Sequence, residues 1–173
     1  LVNTTLINAN FQQASLTDVI GTNAILTNAN LASSTFSNVD FTGANFINVN
    51  ASGANLSNSN FSQALFSDAD LTGANLTNTI FNKITGLNLT LTNATMIGAQ
   101  LREAVLPEAL ASGVNLNGAD LFKANLKGIN LRNTSLINTS FKEADLSGEP
   151  DGVFSDFFTA NLTNADLSGA NLK

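Results

Sequence analysis

Ala54-Asn55-Leu56-Ser57-Asn58-Ser59-Asn60-Phe61-Ser62-Gln63-Ala64-Leu65-Phe66-Ser67-Asp68-Ala69-Asp70-Leu71-Thr72-Gly73-Ala74-Asn75-Leu76 repeats one pattern every five residues. A Leu or Phe marks each beat, and a small residue stands two positions before it. The residue just before the beat is usually polar. The beat extends outward from this stretch, back to Leu1 and forward to Leu146, and is vacated only at Gly21, Ala51, Gly86 and Ala111. An α-helix repeats its apolar face near every 3.6 residues and a strand every two, so each five-residue unit must combine a short extended piece with a corner. In the extended piece the small and large residues share one side and the residue between them points away. Ala54 and Leu56 therefore face in, and Asn55 faces out. The two positions after each beat, such as Thr42-Gly43 and Thr72-Gly73, carry residues that tolerate positive φ or bond to nearby backbone. These are the corners. A short side and a corner, repeated, coil the chain into a solenoid with the beat residues stacked inside.

The charges report the number of sides. Lys83, Glu103, Lys123 and Glu143 alternate in sign at intervals of twenty residues. Four five-residue sides per coil would stack them at the ~4.8 Å strand spacing. With three sides Lys83 would align with Gly98 and Gly113, and the alternation would vanish. Counting in twenties also puts Phe41, Phe61 and Phe81 in one internal column and Phe46 and Phe66 in the next. Leu71, Leu76, Leu121 and Leu126 join them in the expected core.

The units Ala54-Asn55-Leu56, Ala69-Asp70-Leu71, Ala74-Asn75-Leu76, Ala119-Asp120-Leu121, Ala144-Asp145-Leu146 and Ala165-Asp166-Leu167 resemble the pentapeptide-repeat family, whose consensus reads Ala-(Asp/Asn)-Leu-x-x. The resemblance covers almost the whole chain. It implies an all-β fold, a right-handed quadrilateral parallel β-helix of about eight four-sided coils, a rod on the order of 40 Å at ~4.8 Å per coil. Some members bind DNA gyrase as mimics of duplex DNA and protect it from quinolones. Others are associated with the thylakoid lumen or with heterocyst envelope biology in cyanobacteria, where the family is abundant.

The 173 residues read as a single domain, 1–173, interrupted at 147–156. Before the interruption the beat ends at Leu146. After it the beat resumes at Phe157, Leu162, Leu167 and Leu172, shifted by one residue. Pro150-Asp151-Gly152 is a turn signal. Glu149, Pro150, Asp151, Val153, Phe154 and Phe158 form a candidate interaction loop, because loops on rigid scaffolds often carry binding residues. The competing reading folds the two off-beat Phe back onto the last coils. Elsewhere, Pro107 is expected to remove a ladder donor and bow its side outward. Gly21 and Gly86 are expected to mark a bulge or register adjustment, with Val19, Ile20 and Ile25, and Ile84, Leu87 and Leu89, moving in nearby. The chain begins and ends inside a repeat, so a fragment of a longer protein is expected.

Chemistry has little to work with. The chain contains no His, Cys or Tyr, which excludes imidazole bases, disulfides and thiolate metal sites. Asp68 and Asp70 fall on a corner and an outward position and are not read as a catalytic pair. The spacing of Glu149, Asp151 and Asp156 matches no EF-hand loop, and no calcium site is expected. No apolar run reaches the ~20 residues of a membrane span. All seven basic residues lie at or beyond Lys83, and the net charge is −6. Duplex DNA carries one charge per ~1.7 Å, or roughly two dozen over 40 Å. The reading is therefore a non-catalytic scaffold without cofactor or metal, presenting an Asn/Ser/Thr surface to another protein or another domain of the same chain. The alternative is the gyrase-binding DNA mimic. No nucleic-acid partner is expected, and open end coils would permit end-to-end self-association.

Overall fold

The computed structural model describes every residue except Asp151. From Thr5 to Asp145 the backbone forms one parallel bridge per five residues, and each bridge joins residues twenty apart: Thr5 to Ile25, Asn10 to Asn30, Ser15 to Thr35, Ile20 to Asp40, and so on. Four sides thus close each coil. No α-helix occurs among the described residues.

Most units share one hydrogen-bond plan. In the unit 61–65 the Phe61 and Gln63 amides donate forward to Ile80 and Asn82, and the Leu65 amide donates back to Ala44. The Ala64 amide closes the corner on the Phe61 carbonyl. The Ser62 amide donates to the Asn60 side chain at 3.0 Å. All five donors are satisfied, as a buried backbone requires. Where Asn or Asp precedes the beat, as at Asn60, Asp70 and Asn75, it holds the corner as an Asx turn as well as meeting water. The third residue of each unit takes a left-handed φ, from Asn3 at 53° to Glu143 at 57°. Only one of the two central corner residues is left-handed, which is the type II pattern that favours Gly and Asn.

This plan corrects the expectation for Pro107. It occupies the second position of its unit, whose amide takes no part in the coil-to-coil ladder. Leu106 and Glu108 still donate to Asn125 and Lys127 at 2.8 and 2.7 Å, so the side stays in register, and the disturbance falls at the Asn88 amide, which makes no ladder bond to the Pro107 carbonyl. The glycine expectation is corrected as well. Gly21 and Gly86 donate to Asp40 and Val105 without any bulge. A Cβ on Gly21 would overlap the Phe41 ring, and one on Gly86 would lie 2.9 Å from Leu106. The next coil fills each vacancy, while Ile20, Ile25 and Leu87 face outward. Ile84 and Leu89 are buried as ordinary inward residues.

Phe41, Phe46, Phe61, Phe66, Phe81, Leu71, Leu76, Leu121 and Leu126 are all buried in one continuous core. The Phe columns stack: Phe41 on Phe61 at 6.2 Å, Phe61 on Phe81 at 5.3 Å, and Phe46 on Phe66 at 4.8 Å. Across the columns the rings meet edge to face. Such pairs add about 0.5–1.5 kcal/mol beyond burial.

After Asp145 the bridge interval widens from 20 to 26, as in Asn130 to Asp156 and Asp145 to Asn171. Six extra residues, one unit plus one, explain the shifted beat.

Candidate interaction surface

The inserted loop departs from the coil after Ser147. The Glu149 amide donates to the Val153 carbonyl at 2.7 Å, closing a tight turn. Pro150 is exposed and Glu149 half-buried. Asp151 lies outside the described residues. Val153 packs over Gly128 beside Glu108. Phe154 lies against Gly148 but stays 70% exposed, and Phe158 is 65% exposed. The Arg132 guanidinium sits 5.2 Å over the Phe158 ring and 2.8 Å from the Asp156 carboxylate. The loop thus puts two wetted aromatic rings on the rod.

Carboxylates elsewhere serve structure. Asp70 accepts the Thr72 amide at 2.9 Å, and Asp68 accepts from Asn88 one coil along at 3.0 Å. Burial alone would raise the Asp145 carboxyl. The Ser147 hydroxyl and amide, the Lys127 charge and the Asn171 amide together hold it below the ordinary carboxylate range. Among the described residues, no cluster of three carboxylates could hold a metal ion, and no helix is long and apolar enough to cross a membrane.

The charge ladder resolves into pairs. Lys83 meets Glu103 at 3.6 Å and Lys123 meets Glu143 at 3.4 Å, all half-exposed. Such pairs are worth about 0–1 kcal/mol each. Beside them Asn82, Lys83, Arg102, Glu103 and Phe122 line an open depression of about 190 Å³. Arg102 lies 4.9 Å over the Phe122 ring and 3.5 Å from Asp120. Its polar groups are already engaged with one another.

Sequence reasoning missed a different feature. On the side that runs through Ile25, Leu65 and Val105, the first six coils each carry an outward aliphatic residue. These are Ile7, Ile25, Ile47, Leu65, Leu87 and Val105. They alternate between the middle of the side and its edge, so they form a zigzag along the rod. Opposite each one in its own coil stands Thr5, Thr27, Asn45, Ser67, Thr85 or Pro107. Ile7, Ile25, Leu65 and Leu87 are 49, 37, 39 and 47% exposed. On the other sides Val2 and Ile20 form a single such pair, and Ile97 and Leu110 are isolated.

A family model described as pentapeptide repeats matches in eight copies, over residues 1–38, 24–63, 44–82, 69–106, 88–121, 115–148 and 155–173. Only the inserted residues 149–154 fall outside it. The structure is similar to trypsin-treated QnrB1, a plasmid-mediated fluoroquinolone resistance protein, with a TM-score of 0.70 and 21% identity over 98% of this chain and 91% of that one. Full-length QnrB1 matches with a TM-score of 0.63 and 20% identity over 92% of this chain and 93% of the other. A pentapeptide repeat protein of the Arabidopsis thaliana thylakoid lumen gives a TM-score of 0.55 and 30% identity, over 57% of this chain and 69% of that one. No curated protein sequence matches the chain. The repeats and the shared architecture are those of a right-handed quadrilateral β-helix that performs no catalysis, and the chain belongs to the pentapeptide repeat family.

Proposed function

We propose that the chain is a structural or interaction scaffold, a rod of about eight coils that presents a fixed lattice of outward side chains to another protein or another domain of its own chain. The observation that supports this best is the unbroken twenty-residue register from Thr5 to Asp145. It fixes every outward residue relative to its neighbours, while the carboxylates and amides are used for corners and coil-to-coil bonds. The exposed loop rings, Phe154 and Phe158, extend that lattice at one end. Capture of a partner by the immobilised rod tests this reading with charge-introducing substitutions placed on one side at a time. A scaffold loses its partner through substitutions on one side or in the loop. Equal loss from all four sides contradicts it.

The overlay with QnrB1 supports a second reading, the DNA mimic that binds gyrase, which the family resemblance suggests. Magnitude counts against it. The net charge of −6 is far below the roughly two dozen phosphates of an equal length of duplex, and five ion pairs among the described residues interrupt the acids. Gyrase supercoiling titrated with the protein separates the two. Inhibition at micromolar protein supports the mimic, and none at that level supports the scaffold alone.

A further inference from the structure

The aliphatic zigzag is self-complementary, and we propose that this side is a contact between two copies of the chain, packed face to face with their rods antiparallel. Its partner is a second copy, whatever else the scaffold binds.

A two-fold axis lying across the side, between the coil of Ile47 and that of Leu65, superposes each coil on one of the partner. The middle of the side then meets the partner's middle, and the edge meets its edge. Leu65 falls opposite Asn45, Ile47 opposite Ser67, Ile25 opposite Thr85, and Leu87 opposite Thr27. Val105 meets Thr5, and Ile7 meets Pro107. All six aliphatic residues meet a smaller or polar one, as interdigitating sheets require at a separation of ~10 Å. Among antiparallel registers, moving the axis by half a coil sets large residue on large, and moving it by a whole coil takes part of the stripe out of contact with the other.

Charge selects the same register. Two chains of net charge −6 repel, so they meet best where the surface is neutral. At its corners this side carries Asp68 and Glu108, which the axis places opposite Asn48 and Asn8, and Lys83 and Glu103, already paired with each other. The axis places the latter two opposite Asn23 and Asn3. Lys123, Lys127, Glu143 and Asp145 fall outside the overlap.

Area sets the strength. Six coils at ~4.8 Å by four residue steps at ~3.3 Å give roughly 400 Å² per copy. About 800 Å² in total is below the ~1,200 Å² of stable complexes, so the dimer is weak and exchanges rapidly.

Sedimentation equilibrium up to about 1 mM protein tests the proposal. The expected result is a reversible monomer–dimer equilibrium, weakened at least tenfold by Leu65→Glu and left unchanged by Ile97→Glu on another side. Melting curves confirm that both variants fold, and Leu65→Ser repeats the test without adding charge. Because the chain has no cysteine, a nitroxide at Ser67→Cys should show an intermolecular distance under ~25 Å, and one at Lys123→Cys a distance above ~30 Å, from the coil spacing. A monomer at 1 mM overturns the proposal. So do open-ended polymers, equal loss with Ile97→Glu, or a short distance at Lys123→Cys.

Discussion

The Phe46 and Phe66 rings lie one coil apart with centroids 4.8 Å apart and planes within 5° of parallel. Twenty residues of chain separate them, so the stack records closure of a coil after four units. Phe61 sits at the centre of this aromatic region. It stacks between Phe41 and Phe81 and meets the edges of Phe46 and Phe66. Phe61→Ala is expected to cost roughly 3–5 kcal/mol. Chemical denaturation checks this, and an unchanged midpoint contradicts the packing.

Ser34 takes an inward position that Ala usually fills, and its hydroxyl is the buried side-chain group without a hydrogen-bond partner among the described residues. The inward Ser59, Thr79 and Thr134 hydroxyls bond to the carbonyls of Phe36, Leu76 and Leu131. A buried unpaired hydroxyl costs about 1–3 kcal/mol. Ser34→Ala should therefore stabilise the protein by about 1 kcal/mol, whereas Thr134→Ala, which removes a satisfied group, should not. The two melting temperatures, read side by side, decide this.

Gly21→Ala should destabilise by about 1–3 kcal/mol, because the new methyl meets the buried Phe41 ring in a filled core. Gly73→Ala tests a different cause. Its Cβ meets nothing, but its φ of +66° disfavours a side chain. If packing governs the first site, trimming the ring with Phe41→Leu should recover part of the loss in Gly21→Ala and none in Gly73→Ala.

Asp145 links the coil before the insertion to the last one, accepting from Ser147 and from Asn171 at 3.0 Å. Its carboxyl is held below the ordinary range, so the folded state binds this proton less readily than the unfolded chain. The sign follows: its contribution is present above the unfolded value near ~3.9 and is lost as pH falls through the folded value. Stability should drop on acidification below about pH 4. Asp145→Asn keeps an acceptor oxygen but no charge and should flatten that part of the profile. An identical acid profile for the variant contradicts the assignment.

Periodicity made the inward residues legible, because small and large inward positions recur without exception of phase from Leu1 to Leu146. The corners were legible for the same reason, since Asn and Gly recur at the left-handed position. Pro107 was misread because the sequence does not say which of five amides bonds the next coil. The answer, that the second does not, belongs to the hydrogen-bond plan. Gly21 was misread because its filler, Phe41, is twenty residues away.

The aliphatic zigzag escaped notice for a related reason. Its members, Ile7, Ile25, Ile47, Leu65, Leu87 and Val105, are spaced alternately by 18 and 22 residues. Neither interval is a multiple of five, so a scan in phase with the repeat passes over them. They become neighbours only when the corner and mid-side positions are folded onto one side.

Amide hydrogen exchange through residues 61–81 tests the central claim most directly, that each five-residue unit bonds its neighbouring coils through its first, third and fifth amides. Phe61, Gln63 and Leu65 should be the slowest in their unit and Ser62 the fastest, with this order repeating every five residues. Protection with a period of 3.6 or two residues, or a Ser62 amide as slow as that of Phe61, would contradict it.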